Sequence, residues 1–189
     1  MAYKTLHVML NRRKGKKGSL ALKLDINKAY DRVELPFLQG IIQRLGFPEG
    51  WISRVMGCVT TPTFSVLING KPYGYIHPSK GIRQGDPLSP YLFFLYEKGF
   101  TSLLAKAELE GRIHRVAICR RDPQISNLLF ADDSLLFCRA NNNEAEEIAD
   151  ILWVYAKASS QSINLEKSSM FFSSTTLVIR RKKLKRPWG

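Results

Sequence analysis

Three carboxylates have the type and spacing to do chemistry. Asp132 and Asp133 are adjacent and lie between two apolar runs, residues 128–130 and 135–137. Runs this short, rich in Phe and Leu and joined by polar residues, predict two buried strands with a tight turn between them. Two like charges at such a turn repel each other and both lose hydration. A divalent cation would offset that: Mg²⁺ takes oxygen ligands and is typically held by one or two carboxylates plus substrate phosphates. The plain alternative is an exposed Asp-Asp turn, since Asp is common in turns. A third carboxylate with matching surroundings argues against it. In residues 19–26, Leu20, Leu22 and Leu24 alternate with Ala21, Lys23 and Asp25, a strand pattern. Asp25 then stands at the strand's C-terminal end, on the face opposite the leucines. Two-metal phosphoryl transfer uses cations about 3.5–4 Å apart, clamping the attacking and leaving oxygens. Two strand ends, one with Asp25 and one with Asp132 and Asp133, could supply such a site.

The elements that must position these groups follow from pattern and punctuation. Residues 1–10 read as the end of a helix and residues 12–18 as a basic loop broken by Gly15 and Gly18. After the first strand, helices are predicted over residues 36–45, closed by Gly46, and from residue 48 or 49 to about 59. Residues 63–68 and 73–76 flank Asn69-Gly70-Lys71-Pro72, a strong hairpin signal. Residues 81–90 hold two glycines and two prolines and read as a loop, from which Ser89 is expected to cap a long helix with Pro90 at its first position, running to about Glu110 and stopping at Gly111. Residues 115–119 and 124–130 read as strands, and a helix is expected from Glu144 to about residue 158, with acids in its first turn. Residues 163–165 and 169–172 read as short strands around Glu166 and Lys167. The order fits an α+β fold, an antiparallel sheet with helices packed on one face.

The 189 residues suffice for one domain with a core. The net charge of +13 is carried by the two ends. Residues 1–24 contain Lys4, Arg12, Arg13, Lys14, Lys16, Lys17 and Lys23, residues 180–189 contain Arg180, Arg181, Lys182, Lys183, Lys185 and Arg186, and neither segment has an acid. A balanced middle with a basic strip at each end suggests a polyanionic partner, most simply nucleic acid, with a solvated or import-type tail as the alternative. Three cysteines, Cys58, Cys119 and Cys138, lack zinc-ligand spacing, which fits free thiols in a reducing, intracellular compartment, cytoplasm or nucleus. No apolar run reaches the length of a membrane span.

Four segments together resemble the reverse transcriptases of non-LTR (LINE-type) retrotransposons, especially those of plants. They are Leu-Lys-Leu-Asp-Ile-Asn-Lys-Ala-Tyr-Asp-Arg-Val (residues 22–33), Gly-Ile-Arg-Gln-Gly-Asp-Pro-Leu-Ser-Pro (residues 81–90), Phe-Ala-Asp-Asp (residues 130–133) and Ile-Asn-Leu-Glu-Lys-Ser (residues 163–168). The resemblance implies a polymerase palm with a ferredoxin- or RRM-like core: a basic segment ending the fingers at residues 1–18, the palm at 19–176, and a basic tail at 177–189 outside the family pattern. It implies an RNA-directed DNA polymerase that uses two Mg²⁺ ions, with Mn²⁺ as substitute, and takes an RNA template, a DNA primer and dNTPs. Asp25 and Asp132 match the residues that bind both cations, and Asp133 their supporting neighbour. Ile26 and Tyr30 match the nucleotide site, with Tyr30 where such enzymes place an aromatic gate against a ribose 2′-hydroxyl; a core tyrosine is the alternative. Gln84 and Gly85 match the loop along the incoming nucleotide and template base, where glycine permits close backbone approach. Arg83 would meet a phosphate or be a solvated loop residue, and Asp86 would brace the loop. Lys167 matches a lysine proposed to protonate the leaving pyrophosphate; a surface lysine on a turn is the alternative. Arg12, Arg13, Lys14, Lys16 and Lys17 would grip nucleic-acid phosphates without sequence preference.

The resemblance also sets an alternative. The family's upstream fingers and its thumb are not in this sequence, which predicts either association with such segments, or self-association, to cover apolar surface, or a catalytically inactive nucleic-acid-binding fragment of a degenerate element.

Overall fold

The computed structural model describes residues 7, 9–10, 18–117, 124–130, 133–176 and 184. The chain runs β1 (Ser19–Asp25), α1 (Leu35–Arg44), α2 (Glu49–Thr60), β2 (Phe64–Ile68), β3 (Lys71–Ile76), α3 (Ser89–Leu109), β4 (Val116–Ala117), β5 (Gln124–Ile125), β6 (Asn127–Phe130), β7 (Asp133–Arg139), α4 (Asn142–Ser159) and β8 (Ser169–Phe172). Four strands form one antiparallel sheet in the order β6-β7-β1-β8. β1 is therefore interior, with a partner on each side.

Alternation along β1 divides the sheet's two faces. Leu20, Leu22 and Leu24 join Leu136, Cys138 and Phe172 in the main core, which the helices complete. Ala21 joins Leu135, Phe137, Met9 and Val116 in a smaller cluster on the other face. Helices thus cover one face, as expected, and the smaller cluster lies on the opposite face. The helices bury stripes at helical spacing: Leu35, Leu38 and Ile42 on α1, and Leu92, Phe93, Tyr96, Phe100 and Leu104 on α3. Tyr96 ties the layers. Its hydroxyl donates to the Ser159 carbonyl oxygen at the end of α4 and accepts from the Glu34 N–H at 3.3 Å. Burial raises its pKa, and nearby hydrogen bonds oppose that in part.

α4 starts two residues earlier than expected. Asn141 is its cap, accepting from the Glu144 N–H at 2.9 Å, while its own amide donates to the Glu144 carboxylate at 3.1 Å. This is a reciprocal capping arrangement. The same carboxylate accepts from the Arg139 N–H at 3.0 Å and from the His114 N–H at 3.2 Å, so Glu144 fastens the end of β7 and the approach to β4 onto the helix.

Three expectations are corrected. Ser89 is the first residue of α3, not its cap; Leu88 holds the cap position without a side-chain bond. Residues 124–130 do not form one strand, because the chain breaks at Ser126, whose carbonyl accepts from the Phe137 N–H at 2.6 Å. Residues 163–165 form only a single bridge, Ile26 with Ile163, before turning. The Asn69-Gly70 hairpin is as expected: both turn residues have positive φ, 50° and 77°, the conformation a two-residue hairpin loop needs. The expected helix end at residues 1–10 falls largely outside the described residues.

Candidate nucleotide site at the open end of the sheet

Asp25 is the last residue of β1, half-buried, and its register partner on β7 is Asp133. Directly opposed residues of an antiparallel pair have Cα atoms about 4.5–5.5 Å apart. The fold thus brings together two sequence positions that lie far apart in the chain. Phe130 of β6 pairs with the same Asp133, leaving residues 131 and 132 to join the two strands. Asp132 and the Asp133 side chain lie outside the described residues, as do Arg12, Arg13, Lys14, Lys16, Lys17, Cys119 and nearly all of the tail at 177–189.

The segment 162–168 wraps the backbone of the same strand end. The Asn27 N–H donates to the Ser162 carbonyl at 2.8 Å, and the Asn164 N–H donates to the Asp25 carbonyl at 2.9 Å. The Asp25 N–H donates to Ser168 Oγ at 3.2 Å, and that hydroxyl donates to the Asn164 carbonyl at 2.7 Å. Both main-chain groups of Asp25 are therefore held by one turn. Asn164 also organises the turn itself: its Oδ1 accepts from the Lys167 N–H at 3.2 Å, and its Nδ2 donates to Asn27 Oδ1 at 3.2 Å. Lys167 is exposed on this turn, anchored through its backbone to the residue that grips Asp25. The sequence alone assigns no individual role to Asn164 or Ser168. The available signal was an Asn three residues before Lys167, the spacing of a side-chain-to-backbone turn bond.

The loop at 81–90 is pinned to the turn after β1. The Gly81 N–H donates to the Val33 carbonyl at 2.8 Å, and the Ile82 N–H to the Tyr30 carbonyl at 3.0 Å. Gly81 has φ +92°, and a Cβ there would sit 3.0 Å from the Asp31 carbonyl oxygen, so the approach admits only glycine. Asp86 braces the loop, its Oδ1 accepting from the Leu88 N–H at 2.8 Å. Between loop and turn opens a cleft of about 590 Å³, with Ile26, Tyr30, Gln84 and Gly85 on its walls. Four of the residues named for nucleotide contact thus line one space. Arg83 lines a neighbouring cleft of about 410 Å³, which shares Gln84, Asp86 and Ser89 with the first. Tyr30 is half-buried and stacks on Phe93, ring centroids 4.7 Å apart at 16°. It is both a packed tyrosine and a cleft wall.

Among the described residues there is no cluster of three His, Cys, Asp or Glu side chains placed to hold a metal, the described part of the acidic set being Asp25. No helix of the described residues is long and apolar enough to cross a membrane. Cys58 is exposed and Cys138 buried, both free thiols, and burial raises the Cys138 pKa.

Comparison with known proteins adds findings of three kinds. Residues 2–185 match the family model described as reverse transcriptase (RNA-dependent DNA polymerase). Among curated proteins, the chain is 28% identical over 169 residues to a Pol polyprotein from the type-1 retrotransposable element R2 of Popillia japonica, covering 89% of this chain and 27% of that protein. It is 31% identical over 148 residues to a 149 kDa protein of transposon TX1 of Xenopus laevis, covering 78% of this chain and 11% of that one. A shorter match, 47% over 68 residues, is to an uncharacterized mitochondrial protein of Arabidopsis thaliana, 36% of this chain and 56% of that one. The chain therefore spans little more than half of one of these relatives and about a quarter or less of the others. Among solved structures, apo telomerase of Candida tropicalis superposes with a TM-score of 0.63 at 15% identity, over 91% of this chain and 34% of that one. That likeness shows a shared fold, the palm-like α+β layer described above.

Proposed function

The chain belongs to the reverse transcriptase (RNA-dependent DNA polymerase) family, and on that premise we propose that it is the palm of an RNA-directed DNA polymerase, adding dNTPs to a primer 3′-hydroxyl on an RNA template. One observation carries the reading: Asp25 stands opposite Asp133 at the open end of the sheet, and the Lys167 turn is bonded to the same strand end.

The residues present suit a hard divalent cation. Asp25 offers carboxylate oxygens at a half-buried strand end, and Asp132 and Asp133, the two acids at the register position opposite it and just before, would add more; no thiol or imidazole belongs to the set. Asp25, Asp132 and Asp133 would hold two Mg²⁺, or Mn²⁺ in their place. Such ions, when bound, stabilise the charge that develops on the attacking and leaving oxygens of an in-line displacement.

The rest is the work of the chain's own groups. The cleft between Tyr30 and the loop at Gln84 and Gly85 receives the nucleotide, with Ile26 on its wall. Phe93 buttresses the Tyr30 ring from behind, so the ring resists displacement by a 2′-hydroxyl, and deoxynucleotides are selected. Arg83, on the wall of the neighbouring cleft, meets phosphate. Lys167 supplies a proton to the departing pyrophosphate, as a general acid does, and Asn164 fixes the turn that carries it. The basic residues Arg12, Arg13, Lys14, Lys16 and Lys17 grip template and primer phosphates, which makes binding strongly salt-dependent. An intracellular, reducing location completes the reading, in keeping with two free thiols.

The test is extension of an oligo(dT) primer on poly(rA) with Mg²⁺ and dTTP. Asp132→Asn is expected to abolish extension while leaving the circular dichroism spectrum and thermal midpoint unchanged. Extension by that variant at the parent rate would defeat the assignment. Binding of the primer–template by the parent chain with no extension would favour the alternative, a nucleic-acid-binding chain without catalysis.

A further inference from the structure

Strands β2 and β3 form a two-stranded sheet of their own, and all of their residues are exposed. The exposed side chains include Phe64, Val66, Leu67, Ile68, Tyr73 and Tyr75, with Leu67 at 70% and Tyr75 at 84% exposure. A lone hairpin is marginal in water, and apolar surface of this extent marks an interaction site.

The charge of the hairpin segment itself points to the partner, with Asp31 and Asp86 entering only in the cleft at its base. No acidic residue occurs between Glu49 and Asp86, whereas Arg54, Lys71, Lys80 and Arg83 do. Register places Val66 opposite Tyr73 and Ile68 opposite Lys71. Residues two apart on a strand share a face, so Tyr73 and Lys71 stand side by side, an aromatic ring next to an ammonium. Exposed rings interleaved with cations are how proteins hold single-stranded nucleic acid, bases stacking on the rings and phosphates meeting the charges. A protein partner would find no counter-charges to its own basic groups here, only repulsion.

Position points the same way. Phe64, at the start of β2, lines the 410 Å³ cleft together with Lys80, Arg83 and Gln84, and that cleft shares a wall with the candidate nucleotide cleft. A strand lying along the hairpin is thereby led to the site.

We propose that the β2–β3 hairpin is a stacking arm for a single nucleic-acid strand, which passes from it into the cleft at its base. The polymerase reading supplies only the strand's destination; the binding itself needs neither metal nor dNTP, so the two readings fail separately.

The test measures fluorescence anisotropy of a labelled single-stranded RNA homopolymer with the full chain, without divalent cation or dNTP, over a series of salt concentrations. The double variant Tyr73→Ala with Tyr75→Ala is expected to bind about fivefold or more weakly, the lower end for losing one stacked base. Lys71→Gln is expected to lower the slope of log affinity against log salt by about 0.7, one phosphate contact on a single strand. Both changes alter exposed side chains, and unchanged circular dichroism verifies folding. Affinity within twofold of the parent for the double variant, together with an unchanged slope for Lys71→Gln, would overturn the proposal. So would a parent chain that binds no RNA. A parent dimer that the double variant converts to monomer with RNA affinity unaltered would also overturn it, making the hairpin a contact between copies of the chain. The parent affinity retained in Asp132→Asn, with the hairpin effects intact, would separate binding from catalysis.

Discussion

The four-stranded sheet and the β2–β3 hairpin are both antiparallel and both rich in apolar residues, chiefly Leu and Phe in the sheet and Leu, Ile, Val, Phe and Tyr in the hairpin, yet their surroundings are opposite. Leu24 in β1 is 1% exposed, whereas Leu67 in β2 is 70% exposed. β1 has a hydrogen-bonded strand on each side, a helical layer on one face and a small cluster on the other. Among the described residues, the hairpin has only its own two strands. Apolar composition therefore does not report burial by itself; burial depends on a second layer arriving from elsewhere in the chain. The region fixed by such layers is the one that carries the carboxylates. The region left bare is the one placed to meet a flexible ligand.

The sharpest way to break this contrast is to empty the core beneath Asp25. Leu24→Ala removes a buried side chain one residue from the proposed metal ligand. It is expected to cost about 3–5 kcal/mol, the transfer loss plus the cavity left behind. Urea denaturation followed by circular dichroism measures it. A loss under about 1 kcal/mol would mean that β1 is not the anchor described here.

The next effect comes from the reverse anomaly, a charge-bearing group inside the core. Glu97 lies on the buried stripe of α3, and burial raises its pKa to about 8. The folded chain therefore keeps a proton that the unfolded chain releases near the ordinary carboxylate range. Between about pH 5 and pH 8 the native state binds more protons, so stability falls as pH rises through that window and levels off above it. The loss is roughly 2–4 kcal/mol. Glu97→Gln should abolish that contribution and stabilise the chain at pH 8 relative to pH 5. Parallel urea midpoints for parent and variant that stay equally spaced at both pH values would show that Glu97 does not hold its proton.

Much of this contrast was legible in the sequence, and the part that was not has identifiable causes. Alternation of Leu20, Leu22 and Leu24 with Ala21 and Lys23 sufficed to place Asp25, because a strand has only two faces. Asn69-Gly70 fixed the hairpin, because its positive φ values are a local requirement. The family resemblance marks Tyr30, Gln84 and Gly85, which line one cleft. Sequence failed where a side chain chose a distant or unexpected partner. Ser89 looked like a helix cap, but Asp86 braces the turn through Leu88, so the helix starts without one. Residues 163–165 looked like a strand, but Asn164 turns the chain by bonding the Lys167 N–H. Ser168 holds the Asp25 N–H across 143 positions of sequence, a pairing no local pattern encodes. Nor could pattern reveal that the hairpin's apolar residues remain uncovered.

That clamp gives a smaller and more local effect. Ser168→Ala removes the acceptor of the Asp25 N–H and the donor to the Asn164 carbonyl. The expected cost is about 1–2 kcal/mol, with the Asn164 N–H bond to Asp25 still in place. The Asp25 amide should exchange with solvent faster than in the parent, while the amide of Leu22, bonded within the sheet, should not change. Equal protection of Asp25 in parent and variant would mean that the turn merely lies beside the strand without restraining it.

The smallest effect tests the other pole of the contrast. Leu67→Ser replaces a large apolar side chain in the middle of a β-rich run, a change that would be severe in a packed strand. Here the side chain leaves little buried surface behind, and an exposed substitution away from caps and networks typically shifts stability within about 0.5 kcal/mol. The midpoint should therefore stay at the parent value, and solubility should rise as the exposed patch shrinks. Dilution series of the urea midpoint complete the measurement. A loss above about 1.5 kcal/mol that grows with protein concentration would show that Leu67 is buried between copies of the chain. In that case the hairpin would belong with the sheet as a packed element, and the division between a fixed catalytic layer and a bare binding arm would not hold.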